Sequence, residues 1–187
     1  MKYFTKDELK QERGSVTVEF ALVLPLFMMV MGGIYDLASF GMLSSKVTRI
    51  AGVIGDTVSR DDLTRTKLRA IMGTADKMAR PYDFVKGSGD VIVTQVTNDG
   101  ETTNPANMVI SWQESLSGST SDYGMAGGAP ENLPGDITVI EDQSMILTEV
   151  SYVYKPVFID SIFGTKTIRE TSVFAPRSSK MDRLVGE

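Results

Sequence analysis

The chain has no cysteine and no histidine among its 187 residues. Without cysteine there is no disulfide framework, no thiolate nucleophile, no iron–sulfur cluster and no thiolate zinc site. Without histidine there is no Ser-His-Asp triad, no imidazole metal ligand and no imidazole proton shuttle. A catalytic site would have to rest on carboxylates, lysine or tyrosine alone, so no catalytic residue, metal or cofactor is assigned. Basic charge is also in deficit. Lys and Arg number 19 against 24 Asp and Glu, a net charge of −5. A nucleic-acid partner, which calls for a concentrated basic surface, is not expected. Long apolar runs are scarce too, and only one is of membrane grade.

What is present is ordinary for a folded chain. Hydrophobic residues make up 42% and charged residues 23%, which excludes a largely disordered protein. The length suits one folded domain with an appended element. Residues 1–14, MKYFTKDELKQERG, are polar, with Lys2, Lys6, Lys10 and Arg13 set against Asp7, Glu8 and Glu12, a net +1. Between Glu19 and Asp36 lie sixteen residues, FALVLPLFMMVMGGIY, without a charged or amide side chain. As a helix at ~1.5 Å per residue they reach about 24 Å, against a hydrocarbon core of ~30 Å. Leu37 to Leu43 can extend the run past Asp36, giving a span of about residues 20–40. The basic residues ahead of it place the N-terminus in the cytoplasm.

Beyond the run the apolar period becomes helical. Leu43, Val47, Ile50, Ala51, Ile54 and Val58 recur at spacings of three and four and mark one helix face. Residues 15–58 are therefore read as one hydrophobic and then amphipathic helix. Ser59-Arg60-Asp61-Asp62 resembles the start of a second helix, with a capping hydroxyl and acids in the first turn. Its apolar face comprises Leu68, Ile71, Met72, Ala75, Met78 and Ala79, and Pro81 ends it. From residue 89 the period shortens. Asp90–Val96, Asn107–Trp112, Ser144–Tyr154 and Lys166–Phe174 read as four strands. Asn98-Asp99-Gly100 and Asn104-Pro105 turn the first into the second. The expected fold is α+β, a long N-terminal helix and a second helix with a roughly four-stranded antiparallel sheet, one face of which the helices cover. Residues 117–136, rich in glycine, read as a long mobile loop.

Two ordinary readings of the apolar run are a cleaved secretory signal and a plain membrane anchor. A secretory signal needs small residues beyond the run, and Ala38-Ser39-Phe40-Gly41 fits that poorly. Neither reading accounts for Glu19 at the start of an apolar helix. In the segment Arg13-Gly14-Ser15-Val16-Thr17-Val18-Glu19-Phe20, followed by Ala-Leu-Val-Leu-Pro25-Leu-Phe, the polar leader meets the apolar helix. This segment resembles the processing site of type IV prepilins, in the subclass of the tight-adherence (Tad/Flp) pilus. The string VTVEFALVLPL resembles TadE and TadF-like pseudopilins. Val93–Val96, Ile110–Gln113, Glu149–Tyr154 and Ser172–Arg177 resemble the later strands of the same family.

The resemblance implies a division into a cytoplasmic prepilin leader (1–14), the helix (15–58) and a periplasmic α+β domain (59–187). It implies a non-enzymatic minor pseudopilin of the inner membrane, single-pass, and extracellular if built into the pilus. Its partners would be a prepilin peptidase, other pilins and pseudopilins and the Tad inner-membrane platform, in the service of adhesion and biofilm growth. Cleavage would fall between Gly14 and Ser15, with Glu19 and Phe20 as recognition and assembly residues. The chemistry is coherent with this. Glycine lets a protease approach the backbone. A carboxylate at membrane depth costs about 2–3 kcal/mol or more unless paired, and the new amine of a neighbouring subunit is a partner at that depth. Pro25 lacks an amide hydrogen, and Gly32-Gly33 adds a second soft point, so all three are candidates for helix flexibility or for a tolerated kink. The alternative is a single-span periplasmic binding or scaffold module that never enters a fibre.

The remaining candidates have plainer readings. Asp61-Asp62 and Glu141-Asp142 suit a helix cap and a turn better than a hard-cation site. Glu149, Tyr152, Tyr154 and Lys155 imitate an acid–base cluster but alternate along a strand. Trp112 is expected in the core, and Met28, Met29 and Met31 serve as lipid-compatible filler.

Overall fold

The structure, a computed structural model, describes residues 6–60, 63–84, 89–98, 100 and 107–177. Asp61-Asp62, Asp99 and the Asn104-Pro105 turn lie outside the described residues. The elements are α1 (Lys6–Val58), α2 (Arg65–Met72), α3 (Thr74–Ala79), β1 (Gly89–Asn98), β2 (Met108–Ser115), β3 (Gln143–Tyr154), α4 (Asp160–Phe163) and β4 (Lys166–Phe174). The fold is α+β, a long N-terminal helix followed by shorter helices and a four-stranded antiparallel sheet, as the sequence leads one to expect. The chain forms two compact units. One comprises residues up to Gly41 together with Lys155–Thr165, and the other comprises Met42–Tyr154 and the residues from Lys166 on.

The larger unit is built on the sheet, in the order β2-β1-β3-β4. β1 pairs with β2 in a hairpin whose register shifts between Gln95 and Val96, and it pairs with β3 in unbroken register from Gly89↔Tyr152 to Asn98↔Gln143. One face of the sheet packs on the helices. Leu43, Val47, Ile50, Ala51, Ile54 and Val58 are all buried, so the three-and-four spacing does mark an inward stripe. Two close approaches set the distance. A side chain at Gly55 would meet the Phe174 ring at 2.6 Å, and the Ser172 hydroxyl donates to the Ala51 carbonyl at 2.7 Å. Glu114, on the same face, pairs with Arg65 at 3.2 Å and with Arg69, both of α2.

The helix after α1 begins later than its sequence suggests. Ser59 closes α1: its hydroxyl donates to the Asp56 carbonyl at 2.9 Å. The N-cap of α2 is Thr64, whose hydroxyl accepts from the Lys67 N–H at 3.3 Å, and its first turn holds no acid. The expected single helix is split at Gly73, which ends α2 and starts α3. The Thr74 hydroxyl takes the Ile71 carbonyl at 2.6 Å, competing with helix continuation there. Trp112, expected in the core, is half-buried.

The largest departure concerns the second face of the sheet. It is covered as well, by the glycine-rich segment expected to be a mobile loop. Val96, Met108, Ile110, Val139, Met145 and Leu147 form a buried cluster on that face, with Tyr123, Leu133 and Val173 packed against it. The segment is tied to the strands along its length. Gly127 N–H donates to the Ile110 carbonyl at 2.8 Å, and Ile110 N–H donates to the Gly128 carbonyl at 2.9 Å. The Tyr123 hydroxyl meets the Thr171 hydroxyl at 2.8 Å, and just past the segment Asn98 donates to the Val139 carbonyl at 2.9 Å. Positive φ at Gly124 and Gly127 supplies the bends. The glycines thus shape a cover and not a tether.

Leu147→Ala tests this cover. With the segment in place Leu147 is fully buried, and truncation should cost about 2–5 kcal/mol in a urea titration. A loss under about 1 kcal/mol would mean that this face is open to water.

Candidate functional site

The smaller unit carries the N-terminal features. Within α1 the stretch from Val16 is long and apolar enough to cross a membrane, by length and composition. Every residue from Val16 to Met31 is exposed, including Phe20, Leu22, Leu26, Phe27 and Met28. An apolar surface on all sides of a helix is expected where the surroundings are not water. The backbone of Gly14 and Ser15 lies inside α1, as do Pro25, Gly32 and Gly33. Glu19 is exposed, one residue before Phe20 at the head of the apolar run.

Gly32 has a role that helix softness does not describe. A side chain there would fall 2.7 Å from the Cβ of Phe158. The connection from β3 to β4 therefore lies against α1 at a point where only glycine leaves room. One turn on, Asp36 holds this connection in place. Its carboxylate accepts three backbone N–H bonds, from Val157 at 2.9 Å, Phe158 at 2.8 Å and Ile159 at 2.9 Å. The side chain of Asp36 is buried. The arrangement resembles an N-cap made by a distant residue, since these donors precede α4 and have no helical acceptor of their own. Tyr35 meets Phe158 edge-on at 5.7 Å, and Phe40 meets Phe163 at 6.1 Å. Phe27, Met28, Met31, Gly32, Tyr35, Val157 and Phe158 line an apolar groove of about 470 Å³.

The sequence flags Glu19 and Gly32-Gly33 but misses Asp36. The available sign was a lone acid inside an otherwise apolar helix. Such a group is costly at membrane depth unless donors surround it.

Two carboxylates in the larger unit are also strongly bonded. Asp90 accepts from the Ser115 hydroxyl at 2.7 Å and from the Ser117 and Ser119 N–H groups at 2.8 and 3.0 Å. Burial works against its charge, but the serine hydrogen bonds outweigh it and hold the pKa below the ordinary value. Glu149 goes the other way. Burial raises its pKa, only partly offset by bonds from the Ser121 hydroxyl and the Asp122 N–H and by the charge of Arg169. Both carboxylates pin the covering segment to the sheet. The acid–base imitation is dispersed: Tyr152 sits on the opposite face of β3 from Glu149 and bonds the Asp83 carbonyl at 3.3 Å. Lys155 pairs with Asp160 at 3.7 Å. Glu141-Asp142 forms a turn, with Asp142 at positive φ. No group of three or more acids is arranged to hold a metal ion among the described residues.

Asp36→Asn leaves one acceptor oxygen and turns an amide donor toward donors. The amides of Val157, Phe158 and Ile159 should then exchange with solvent about tenfold faster or more, as read by hydrogen–deuterium exchange. Unchanged protection would show that the carboxylate does not hold the connection. Asp90→Asn should destabilise the larger unit by about 2 kcal/mol at neutral pH. A lowered pKa stabilises above the unfolded value and loses that contribution as pH falls through the folded value. The gap between wild type and variant in urea titrations should therefore close in acid.

Residues 14–51 match the family model described as TadE-like protein. No curated protein and no solved structure matches the chain. The matched span opens on Gly14 and takes in Ser15, Glu19, Phe20, Pro25, Gly32, Gly33 and Asp36. It ends within α1, so the strand resemblances lie beyond it. From Gly14 to Ala51 the chain is TadE-like, consistent with a TadE-like protein of the Tad pilus system.

Proposed function

We propose that this chain is a minor pseudopilin of a Tad pilus, anchored in the inner membrane by α1 with its N-terminus in the cytoplasm. A prepilin peptidase cuts it between Gly14 and Ser15. The observation that carries this reading is the TadE-like match that opens on Gly14 and runs into an apolar helix exposed on all sides. The chain's own work is packing and assembly, not catalysis.

The peptidase step follows from backbone chemistry. The Gly14–Ser15 bond lies within a helix, where a peptidase must first open the backbone. Glycine costs about 1 kcal/mol relative to alanine in a helix. Glycine therefore eases local opening where the helix must be cut, and no Cβ obstructs the protease. Cutting removes the +1 leader and creates a cationic amine at Ser15. Glu19 stands one turn further along the same helix. A neighbouring subunit's amine neutralises that carboxylate as the subunit leaves the bilayer, so a correct axial register is favoured over a slipped one. The partners of this process are the peptidase, the other pilins and pseudopilins and the assembly platform in the inner membrane. The outcome is initiation, assembly or capping of a pilus used in adhesion and biofilm growth.

N-terminal sequencing of the mature protein is the test. A chain beginning at Ser15 is expected. A chain still beginning at Met1 would favour a membrane-anchored scaffold, and one beginning beyond about residue 39 an ordinary secretory signal. Glu19→Ala should leave cleavage largely intact while reducing incorporation into sheared pili. Unchanged incorporation would remove Glu19 from the assembly step.

A further inference from the structure

The connection from Lys155 to Thr165 has an unusual surface. Val157 is 71% exposed, Phe158 63% and Ile162 70%. A connection facing water is normally polar, and isolated apolar side chains carry no message. Here three large ones fall within six residues, and they adjoin a larger apolar surface. The groove that Val157 and Phe158 line is shared with Phe27, Met28, Met31 and Tyr35 of α1. Whatever medium surrounds those helix residues reaches Phe158 without crossing a polar strip.

The backbone of the connection suits an apolar medium as well. Peptide groups tolerate hydrocarbon only when their hydrogen bonds are made within the protein. Val157, Phe158 and Ile159 donate to Asp36. Ile162 and Phe163 donate to the Ile159 carbonyl, and Gly164 donates to Asp160. Pro156 has no N–H to satisfy. The charge of Asp160 is paired at 3.7 Å by Lys155, whose long side chain is well exposed, able to reach headgroup water.

We propose that the β3–β4 connection is a second lipid-contacting element, a wedge that places Val157, Phe158 and Ile162 in the outer interface of the bilayer beside α1. The proposal rests on the reading of α1 as a membrane span. The Asp36 clasp is then what makes insertion possible, because it satisfies the amides that the wedge would otherwise carry unbonded into lipid. The wedge gives the anchor two points of contact with the bilayer and so restricts rotation of the helix about its own axis.

The absence of native cysteine makes the test direct. Single-cysteine versions of the full chain, Phe158→Cys, Ile162→Cys, Leu24→Cys and Glu131→Cys, are each labelled with an environment-sensitive fluorophore. They are reconstituted in phosphatidylethanolamine–phosphatidylglycerol vesicles containing spin-labelled lipid. Labels at 158, 162 and 24 should be blue-shifted and quenched by the lipid probe, while the label at 131 keeps water-like emission. Quenching at 24 with water-like emission at 158 and 162 would overturn the wedge and leave the span standing. Blue-shifted but unquenched labels at 158 and 162 would mean that protein covers the patch, which also overturns it. Loss of quenching at 24 as well would remove the membrane reading itself.

Discussion

Apolar surface must leave water, and α1 meets that demand in two different ways along its length. From Phe20 to Tyr35 the apolar side chains surround the helix and are exposed on every side. From Leu43 to Val58 they occupy one stripe and are buried. The β3–β4 connection lies against the first stretch at Gly32 and Tyr35 but leaves its apolar side chains largely exposed, a surface compatible with a membrane span. In the second stretch the sheet provides the cover. The pattern changes near Gly41, and the division of the chain into two compact units falls at that point. One helix thus carries both a stretch compatible with a membrane span and a stripe buried in the core of the larger unit.

Acids in such a helix have to be accounted for one at a time. Asp36 is satisfied by three amides of a segment more than a hundred residues away in the chain. In the proposed mechanism Glu19 is satisfied by the amine of another molecule. The two carboxylates thus stand at the two ends of one apolar run and do opposite work. One fixes the chain to itself; in the proposed mechanism the other fixes it to its neighbour. Both draw on the same penalty for charge in a poor dielectric, which makes each pairing selective as well as favourable.

Much of the fold was legible because it follows from period. Spacings of three and four marked the buried stripe of α1, and the four strands and their antiparallel pairing followed from alternation and turn residues. Alternation alone does not reveal the covered second face, although the sequence carries a sign of it. Val91-Ile92-Val93 and Met145-Ile146-Leu147 are unbroken apolar runs, and a strand apolar on both parities is buried on both faces. Glycine content in 117–136 suggested mobility because composition does not reveal which carbonyls a loop will bond. Ser59 and Thr64 are both good caps, and local sequence alone does not choose between them. At the candidate site, Gly14, Glu19 and Phe20 could be read as a local motif. The Asp36 clasp could not, because its partners are brought to it only by the topology of β3 and β4.

Protease accessibility in inverted inner-membrane vesicles tests the partition most directly. If α1 spans the bilayer with its N-terminus in the cytoplasm, the domain from Met42 on is enclosed in the vesicle lumen. It should survive added protease intact and be cut only after detergent opens the vesicles. Digestion of that domain in sealed vesicles would place it on the cytoplasmic face and contradict the account.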